Sequence, residues 1–342
     1  MNNKRILFYS SVATKKQFSY QEFYRTDIHI LRELGYRVCL SNSFFDFLCF
    51  WKYDLAFIYF YRYGLIPAFL ARLFGKRVYF TGGIDFLDKS FVGWRTYLLQ
   101  KYLFLFCYVF STKSIIVSRA DHFNISSAFK KLKFKKLAFS NHVISFDLYH
   151  SPDTRSREKI FTTIAWMKLV INVRRKGVDK CVFLFRELIK YPIFRDYKLV
   201  IIGPTGDGSQ MIESIVDTLD LRDKVILTGM LTEQEKVNYL KRSKYYLQLS
   251  EYEGFGIAVI EALAAGNIVI HTGKGGLKDA VGKHGQLVSG STDYEQIASQ
   301  IHGCISEMTE EQYASVIDKG IEHVRTHFNY DRRKEDFQKI IG

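Results

Sequence analysis

The chain alternates short apolar runs with longer segments whose apolar residues recur at helical spacing, and the alternation continues from residue 5 to residue 272. One helical segment, YQEFYRTDIHILRELG, spans residues 20–35 and ends in Gly35, a suitable residue to follow a helix. Strands that alternate with helices form parallel sheets with helices on both faces. The sequence therefore predicts an α/β protein. The predicted strands occupy residues 5–11, 36–41, 54–60, 77–81, 114–118, 136–140, 161–166, 198–203, 224–229, 245–250 and 267–272.

The length of 342 residues suggests two domains, because single cores rarely grow much beyond about 250–300 residues. The polar stretch HSPDTRSREK over residues 150–159 has the composition of a linker. We therefore predict two doubly wound, Rossmann-like domains, residues 1–150 and 151–325, which face each other across a cleft. Ligands of such sheets bind beyond the carboxyl ends of the strands. The loops after the strands are accordingly the place to look for a site.

Composition excludes several classes of protein. Charged residues make up 25% of the chain and hydrophobic residues 47%, so wholesale disorder is not expected. The five cysteines are scattered singly without a CxxC pair, which favours a reducing, cytoplasmic setting. We expect no secretory signal and no membrane-spanning helix. The longest apolar run, YLFLFCYVF over residues 102–110, is nine residues long, whereas a span needs about 20.

Positive charge is concentrated in the first part of the chain. Residues 1–150 contain 22 Lys and Arg against 9 Asp and Glu, whereas residues 151–342 contain 27 against 26. Such asymmetry can reflect a basic surface without a partner, an anionic membrane, an acidic acceptor or nucleic acid. Aromatic residues mixed with Lys at 44–53 and 97–110 favour an anionic membrane surface. No DNA- or RNA-binding motif accompanies the charge, so we expect no nucleic-acid partner.

Two glutamates stand out in SEYEGFGIAVIEALAAG, residues 250–266. Glu253 lies in a glycine-containing loop just before a predicted helix, and Glu261 lies inside that otherwise apolar helix. A helix N-terminus attracts anions through its free amide groups and its dipole. Glu253 could accept hydrogen bonds from ligand hydroxyls beside those amides. For Glu261 the alternative is an ordinary solvated position on a helix.

The segment EGFGIAVIEALAAG resembles the E-x7-E segment of retaining glycosyltransferases of the GT-B fold, in family 4 (glycosyl transferases group 1). Other segments resemble the same family in the same order, and together they cover most of residues 160–290 and, more weakly, 1–150. The sequence KLVIIGPTGDG resembles its strand followed by glycines, and GGLKDAVGKHGQLVSG resembles its GGxxE…GxLV ending. Besides EGFGIAVIEALAAG, the segments that resemble the family are residues 33–38, 198–208, 225–250 and 275–290. Residues 326–342 resemble the family's terminal helix, which crosses back to the first domain.

The resemblance implies a function and a set of site residues. The protein would move a sugar from a nucleotide-diphosphate sugar, a UDP- or GDP-sugar, to an acceptor hydroxyl, without a metal or other cofactor. The first acid of the motif, Glu253, would contact donor hydroxyls, and the second, Glu261, the ribose. The remaining donor-binding residues that the resemblance implies in these segments are Gly203, Gly229, Gly254, Phe255 and Gly256.

A cationic loop follows the first strand of the second domain. Arg174, Arg175 and Lys176 precede Gly177, and a leaving diphosphate needs cations of this kind. Lys176-Gly177 fits the family pattern. The family's preceding Arg is absent, since AWMK occupies residues 165–168; Lys168, Arg174 or Arg175 could replace it, or the loop could be an exposed basic surface.

The first domain departs from the family at two more places. The loop SSVATKKQ over residues 10–17 lacks a glycine pair, and YFTGGIDFLD over residues 79–88 lacks a histidine. Asp85 in the latter stretch is our candidate on the acceptor side, against a role in capping a turn. The predicted catalytic residues are therefore Glu253, Lys176 and Asp85.

These features predict a retaining, metal-independent glycosyltransferase that builds a bacterial surface polysaccharide such as capsule or O-antigen. Its acceptor would be a lipid-linked or oligosaccharide hydroxyl, bound mainly by the first domain. Its location would be peripheral, at the cytoplasmic face of the cell membrane. The alternatives are a catalytically inactive partner of the same fold, a nucleotide-sugar epimerase and a basic nucleic-acid-binding protein.

Overall fold

The computed structural model describes residues 4–84, 87–89, 92–151, 157–288 and 292–342. The chain forms two compact units: unit 1 comprises Met1–Ile144 and Phe328–Gly342, and unit 2 comprises Ser145–His327. Each unit contains a six-stranded parallel sheet, which confirms the predicted α/β class with doubly wound sheets. All eleven strands that the sequence predicted have a counterpart in the structure.

The sheet of unit 1 is built from strands β1 to β6 in the order β2-β1-β3-β4-β5-β6. Every residue of β3 is buried, as expected for a strand covered on both faces. The strands are β1 (Arg5–Tyr9), β2 (Arg37–Ser41), β3 (Leu55–Tyr59), β4 (Arg77–Thr81), β5 (Lys113–Ile116) and β6 (Leu137–Phe139). The helices among them are α1 (Gln17–Tyr20), α2 (Glu22–Glu33), α3 (Leu65–Leu73), α4 (Trp94–Phe110) and α5 (Arg119–Ala128). Two 3-10 helices, Phe44–Leu48 and Phe50–Lys52, follow β2.

The sheet of unit 2 has the order β12-β11-β10-β7-β8-β9. Its strands are β7 (Glu158–Ile164), β8 (Lys198–Ile202), β9 (Val225–Gly229), β10 (Ser243–Gln248), β11 (Ile268–His271) and β12 (Gln286–Leu287). Its helices are α6 (Phe146–Tyr149), α7 (Val170–Lys176), α8 (Val178–Leu188), α9 (Asp207–Thr218), α10 (Glu233–Arg242), α11 (Ile257–Ala264), α12 (Leu277–Val281), α13 (Tyr294–Ser306) and α14 (Glu310–His327). A 3-10 helix, Pro192–Phe194, precedes β8. Thr232 and Glu235 form a capping box at the start of α10.

The last helix, α15 (Tyr330–Ile341), packs into unit 1 although it follows unit 2 in the chain. Phe337 and Ile341 are buried in the same hydrophobic cluster as β1 and β3. The buried guanidinium of Arg333 donates to both carboxylate oxygens of Asp27 on α2, at 2.5 and 2.7 Å. Apolar contacts and a buried ion pair thus hold α15 against unit 1.

The five cysteines, all among the residues described, are free thiols. Within the described parts of the chain, no helix combines the length and the apolar character needed to cross a bilayer.

Candidate functional site

The order of strands in unit 2 marks one place in its sheet as a site for a ligand. From β7 the chain proceeds through β8 and β9 on one side, and then returns to place β10 on the other side of β7. At such a switch point the loops after the two adjacent strands diverge and leave a crevice at the carboxyl edge. The loops in question follow β7 and β10. They lead into α7 and α11, respectively.

Glu253 lies in the loop after β10, and its side chain is turned into the protein. The residue is 5% exposed. Its Oε1 accepts hydrogen bonds from Lys176 Nζ at 2.5 Å, Gln248 Nε2 at 3.0 Å and Ser250 Oγ at 3.0 Å. These three bonds all go to the same oxygen. The second oxygen, Oε2, therefore keeps its capacity to accept a hydrogen bond.

Lys176 reaches Glu253 because the backbone of the following residue packs against the chain just after β10. Gly177 has a φ of 63°, in the left-handed region, and a Cβ at this position would lie 2.0 Å from the carbonyl oxygen of Leu249. Only glycine permits both the conformation and this approach. The amide of Glu251 also donates to the carbonyl oxygen of Arg175 at 2.8 Å. The end of α7 is thereby fixed against the Glu253 loop.

A chain of buried polar groups orients Glu253 from behind. The Tyr246 hydroxyl donates to Gln248 Oε1 at 2.9 Å, and Gln248 Nε2 in turn donates to Glu253. Burial raises the pKa of Tyr246 well above its usual value, so the phenol stays a donor. The sequence pattern alone did not single out Tyr246, Gln248 or Ser250. The sequence feature that could have identified these three residues is the polar group at every second position as an apolar strand ends.

Glu261, on α11, is not a solvated helix residue. It is 3% exposed, and its Oε1 accepts from Lys236 Nζ on α10 and from the Tyr149 hydroxyl, each at 2.9 Å. Lys236 Nζ also lies 3.1 Å from Glu233 Oε1, and the Tyr149 hydroxyl bonds to that same carboxylate. One buried cation is therefore shared by two carboxylates.

The charges of this cluster shift each other's pKa values. Burial raises the pKa of Glu261 above its usual value, although Lys236 opposes the rise. For Lys236, burial favours the neutral amine, but the Glu261 and Glu233 carboxylates more than offset this and raise its pKa. The sequence identified Glu261 but not Lys236, Glu233 or Tyr149.

The predicted glycines line the same edge of the sheet. Gly256, with a φ of 106°, is the residue before α11, and Phe255 beside it is buried. Gly203 follows β8 and Gly229 ends β9, and the Gly203 amide donates to the Gly229 carbonyl oxygen at 3.1 Å. Gly254 lies in the loop between Glu253 and Phe255, and its carbonyl oxygen would be 2.3 Å from a Cβ at Gly276.

A second glycine pair, which the sequence did not identify as part of the site, packs on the Glu253 loop. The Gly276 amide donates to the Glu253 carbonyl oxygen at 2.7 Å, and a Cβ at Gly275 would lie 2.2 Å from the same oxygen. The motif GGLKDAV thus supports the position of the loop that carries Glu253.

The other predicted cations differ in their surroundings. The Arg174 guanidinium donates to Asp179 Oδ2 at 3.0 Å and its side chain is 62% exposed. Arg175 is half-buried. Lys168 is exposed, with its amine 5.5 Å from the ring centre of Trp166. Lys176 is the predicted cation that directly contacts a predicted acid.

Two further predictions concern residues elsewhere. Asp85 lies outside the residues that the structure describes. In the described parts of the chain, no group of three or more His, Cys, Asp or Glu side chains is arranged to hold a metal ion.

Known proteins resemble part of the chain. A model of the family described as Glycosyl transferases group 1 matches residues 169–323. The chain is similar to D-inositol 3-phosphate glycosyltransferase of Thermobifida fusca, with 30% identity over 123 residues, which are 34% of this chain and 28% of that protein. It is also similar to GDP-mannose:cellobiosyl-diphosphopolyprenol alpha-mannosyltransferase of Xanthomonas campestris, with 31% identity over 99 residues, 28% of this chain and 26% of that one. The matches thus span about a quarter of the length of these relatives.

Solved structures resemble the whole chain. The structure of HepE from Anabaena in complex with UDP-glucose has a TM-score of 0.77 at 14% identity and covers 99% of both chains. Sucrose-phosphate synthase from Thermosynechococcus elongatus also has a TM-score of 0.77, at 16% identity, and covers 99% of this chain and 98% of that one. At such low identity the likeness shows a shared fold.

Proposed function

Because the chain belongs, through residues 169–323, to the Glycosyl transferases group 1 family and has the GT-B fold, we propose that it is a retaining glycosyltransferase. It moves a sugar from a nucleotide-diphosphate sugar to an acceptor hydroxyl. One observation carries this proposal more than any other. A single loop and helix supply two buried carboxylates, Glu253 and Glu261, and each is bonded to a lysine from a different helix.

In the proposed complex, Glu253 accepts a hydrogen bond from a donor-sugar hydroxyl through Oε2. Its Oε1 is already held by Lys176, Gln248 and Ser250, so the carboxylate meets the sugar in a fixed orientation. Glu261 accepts from the ribose hydroxyls. The loop of Gly254, Phe255 and Gly256 and the start of α11 contact the diphosphate, because a helix N-terminus favours an anion. Gly203 and Gly229, at the same edge, admit the donor close to the backbone.

The reaction needs a leaving group that can carry negative charge. The bond between the anomeric carbon and the diphosphate oxygen breaks, and the acceptor oxygen forms a new bond to the same face of that carbon. The acceptor proton passes to the departing phosphate oxygen. Lys176 and the N-terminal end of α11 stabilise the charge on the diphosphate while it departs. Lys168, Arg174 or Arg175 takes the place of the arginine that the family pattern would supply.

The finer parts of the proposal concern the donor and the acceptor. HepE was solved with UDP-glucose, and the name of the Xanthomonas relative states GDP-mannose and a diphosphopolyprenol acceptor. These names support a UDP- or GDP-sugar donor and a lipid-linked acceptor. We propose that unit 1 binds the acceptor, with Asp85 on that side. The pathway is the synthesis of a bacterial surface polysaccharide, and the protein acts peripherally at the cytoplasmic face of the membrane.

A thermal-shift screen tests the donor site. The full chain is heated with UDP-glucose, UDP-N-acetylglucosamine, GDP-mannose, ADP-glucose and a CMP-sugar, and we expect one nucleotide class to raise the melting temperature. Glu253→Ala should abolish that shift. The matched control is Glu251→Ala, which removes a neighbouring acid that is bonded to Lys180 and Lys274 but not to Lys176. The control should keep the shift. If no nucleotide sugar stabilised the wild-type protein, the chain would instead be a catalytically inactive partner protein of the same fold. That result would overturn the proposal.

A turnover experiment separates the enzyme from the epimerase alternative. The donor identified in the screen is incubated with protein alone and with a lipid-diphosphate oligosaccharide, and the products are followed by proton NMR. We expect a product with the donor's anomeric configuration, formed only when acceptor is present. Conversion of the donor into a different nucleotide sugar without acceptor would identify an epimerase instead.

A further inference from the structure

Helix α4 of unit 1 is apolar on two opposite sides, although only one side faces the core. Tyr97, Phe104 and Cys107 are buried against the sheet. A second stripe at helical spacing faces outward, and every member is large and apolar. This stripe comprises Leu98, Leu99, Tyr102, Phe106 and Val109, which are 39–57% exposed. A helix that is apolar all round normally lies inside a protein or in contact with lipid.

The exposed stripe of α4 continues onto the neighbouring helix α3. Phe69 of α3 contacts the ring of Phe110 of α4, with the ring centres 5.6 Å apart. On α3, Ile66, Phe69 and Leu73 are again apolar and exposed at helical spacing, at 56%, 46% and 64%.

The surface extends from α3 to the two 3-10 helices after β2. Phe50 stacks on Phe74 at the end of α3, with ring centres 4.4 Å apart. The exposed apolar residues of these short helices are Phe44, Phe45, Leu48, Phe50 and Trp51. We name the outward-facing residues of α4, α3 and these 3-10 helices, together with Trp94 at the start of α4, the apolar platform.

The charge in the part of the chain that carries the platform is mainly positive. Residues 44–136 contain 15 Lys and Arg against 5 Asp and Glu. Neither α3 nor α4 contains an acid, although Asp46 lies in the first 3-10 helix. Arg95 lies over the ring of Trp94, and Arg62 lies over the ring of Tyr63, at 5.4 and 5.3 Å. At the other end of α4, Lys136 Nζ donates to the Val109 carbonyl oxygen at 2.9 Å. Aromatic rings with flanking cations are the composition of a membrane interface.

We propose that the apolar platform binds unit 1 peripherally to an anionic lipid bilayer. The platform far exceeds a few scattered exposed side chains, and contiguous patches of this kind mark interaction surfaces. The excess of cations over acids in this part of the chain favours a negatively charged surface over a neutral protein partner. The choice of a bilayer rests on the proposed function only in that a lipid-linked acceptor would be presented there.

Vesicle sedimentation tests the attachment directly. The full chain is mixed with vesicles of phosphatidylcholine alone, or of phosphatidylcholine with phosphatidylglycerol. We expect binding to the anionic vesicles only. The double variant Leu99→Gln with Phe106→Gln should weaken partitioning at least about tenfold, because it removes two side chains that enter the bilayer. The matched control is Ile193→Gln with Ile226→Gln, which changes exposed apolar residues of unit 2, and it should bind like the wild type.

Tryptophan fluorescence locates the contact within the molecule. The chain has three tryptophans; Trp51 and Trp94 lie in the platform and are 59% and 69% exposed, whereas Trp166 belongs to unit 2. Three variants each retain one tryptophan and carry phenylalanine at the other two positions. Anionic vesicles should shift the emission of the Trp51 and Trp94 variants to the blue and leave that of the Trp166 variant unchanged. A shift confined to the Trp166 variant would overturn the proposal.

The outcomes separate this inference from the proposed function. Vesicle binding by a protein that no nucleotide sugar stabilises would support the platform and reject the glycosyltransferase. A donor-induced thermal shift without any vesicle binding would support the glycosyltransferase and reject the platform as a membrane-binding surface. Concentration-dependent dimers that Leu99→Gln with Phe106→Gln dissolves, in a protein that ignores vesicles, would show that the platform is an interface between two copies of the chain and overturn the proposal.

Discussion

Lys176 Nζ lies 2.5 Å from Glu253 Oε1, although 77 residues separate the two in the chain. Only 21% of the Lys176 side chain and 7% of the Glu253 side chain are exposed. Both charges have therefore lost most of their hydration and depend on each other. Removing one partner of such a pair leaves the other charge buried and uncompensated.

Lys176→Met is expected to lower the free energy of unfolding by about 3 kcal/mol, because Glu253 loses its cation. The double variant with Glu253→Gln should recover part of this loss. Urea unfolding measures both values. Lys159→Met is the control, since Lys159 and Asp196 form an exposed pair with side chains 60% and 68% exposed. It should leave the free energy of unfolding nearly unchanged. Equal losses in Lys176→Met and Lys159→Met would contradict the assignment of a coupled, buried pair.

Gly177→Ala should separate α7 from the loop after β10. The new Cβ would lie 2.0 Å from the Leu249 carbonyl oxygen, in a backbone conformation that also disfavours alanine. We expect a loss of about 3 kcal/mol or more in unfolding free energy, together with a weaker donor-induced thermal shift because Lys176 is displaced.

Gly229→Ala is the stability control for that substitution. Gly229 also has a positive φ, 72°, but the nearest atom to its Cβ position is 3.9 Å away. The cost should be limited to backbone strain, about 1–2 kcal/mol. If both alanine variants were equally stable, contact with Leu249 would not determine the position of α7.

The sequence was sufficient to predict the sheets, because strands buried on both faces are continuous apolar runs between amphipathic helices. It missed β12, since a two-residue edge strand has no periodicity to detect. It found Glu253 and Glu261 because an acid inside an apolar segment is conspicuous. It did not find Lys236 and Tyr149, which lie 25 and 112 residues from Glu261 and resemble ordinary surface residues until the chain folds.

The aromatic segment at residues 97–110 was likewise only partly predictable from the sequence. Composition indicated an interfacial surface in residues 97–110, but it could not separate core rings from exposed ones. The structure buries Tyr97 and Phe104 and exposes Tyr102 and Phe106. Which rings are buried depends on which side of α4 packs on the sheet. Because both sides of the helix are apolar, tertiary contacts rather than the sequence pattern determine that side.

Arg333→Met should loosen the packing of α15 against the rest of unit 1. Arg333 is 1% exposed and Asp27 is fully buried, so the variant leaves an uncompensated carboxylate in the core. We expect unit 1 to lose about 3–5 kcal/mol of unfolding free energy and the amides of α15 to exchange faster with deuterium. Lys334→Met, at the next position, removes a more exposed ion pair with Glu33 and should cost less than about 1 kcal/mol. Unchanged protection of α15 in Arg333→Met would show that Phe337 and Ile341 suffice to dock the helix.

Lys236→Met should make stability depend on pH through Glu261. The pKa of Glu261 is already raised by burial, and it should rise further without the lysine. A carboxyl group whose pKa is higher in the folded state stabilises the fold below its unfolded pKa, and this contribution is lost as pH rises through the folded pKa. The variant should therefore lie furthest below wild type at about pH 8, by about 3 kcal/mol, and the difference should narrow towards about pH 5. Lys236→Arg keeps the cation and should show no such trend. Adding Glu261→Gln to Lys236→Met should remove the pH dependence of the difference; if the dependence persists, it arises from Glu233 or another group rather than from Glu261.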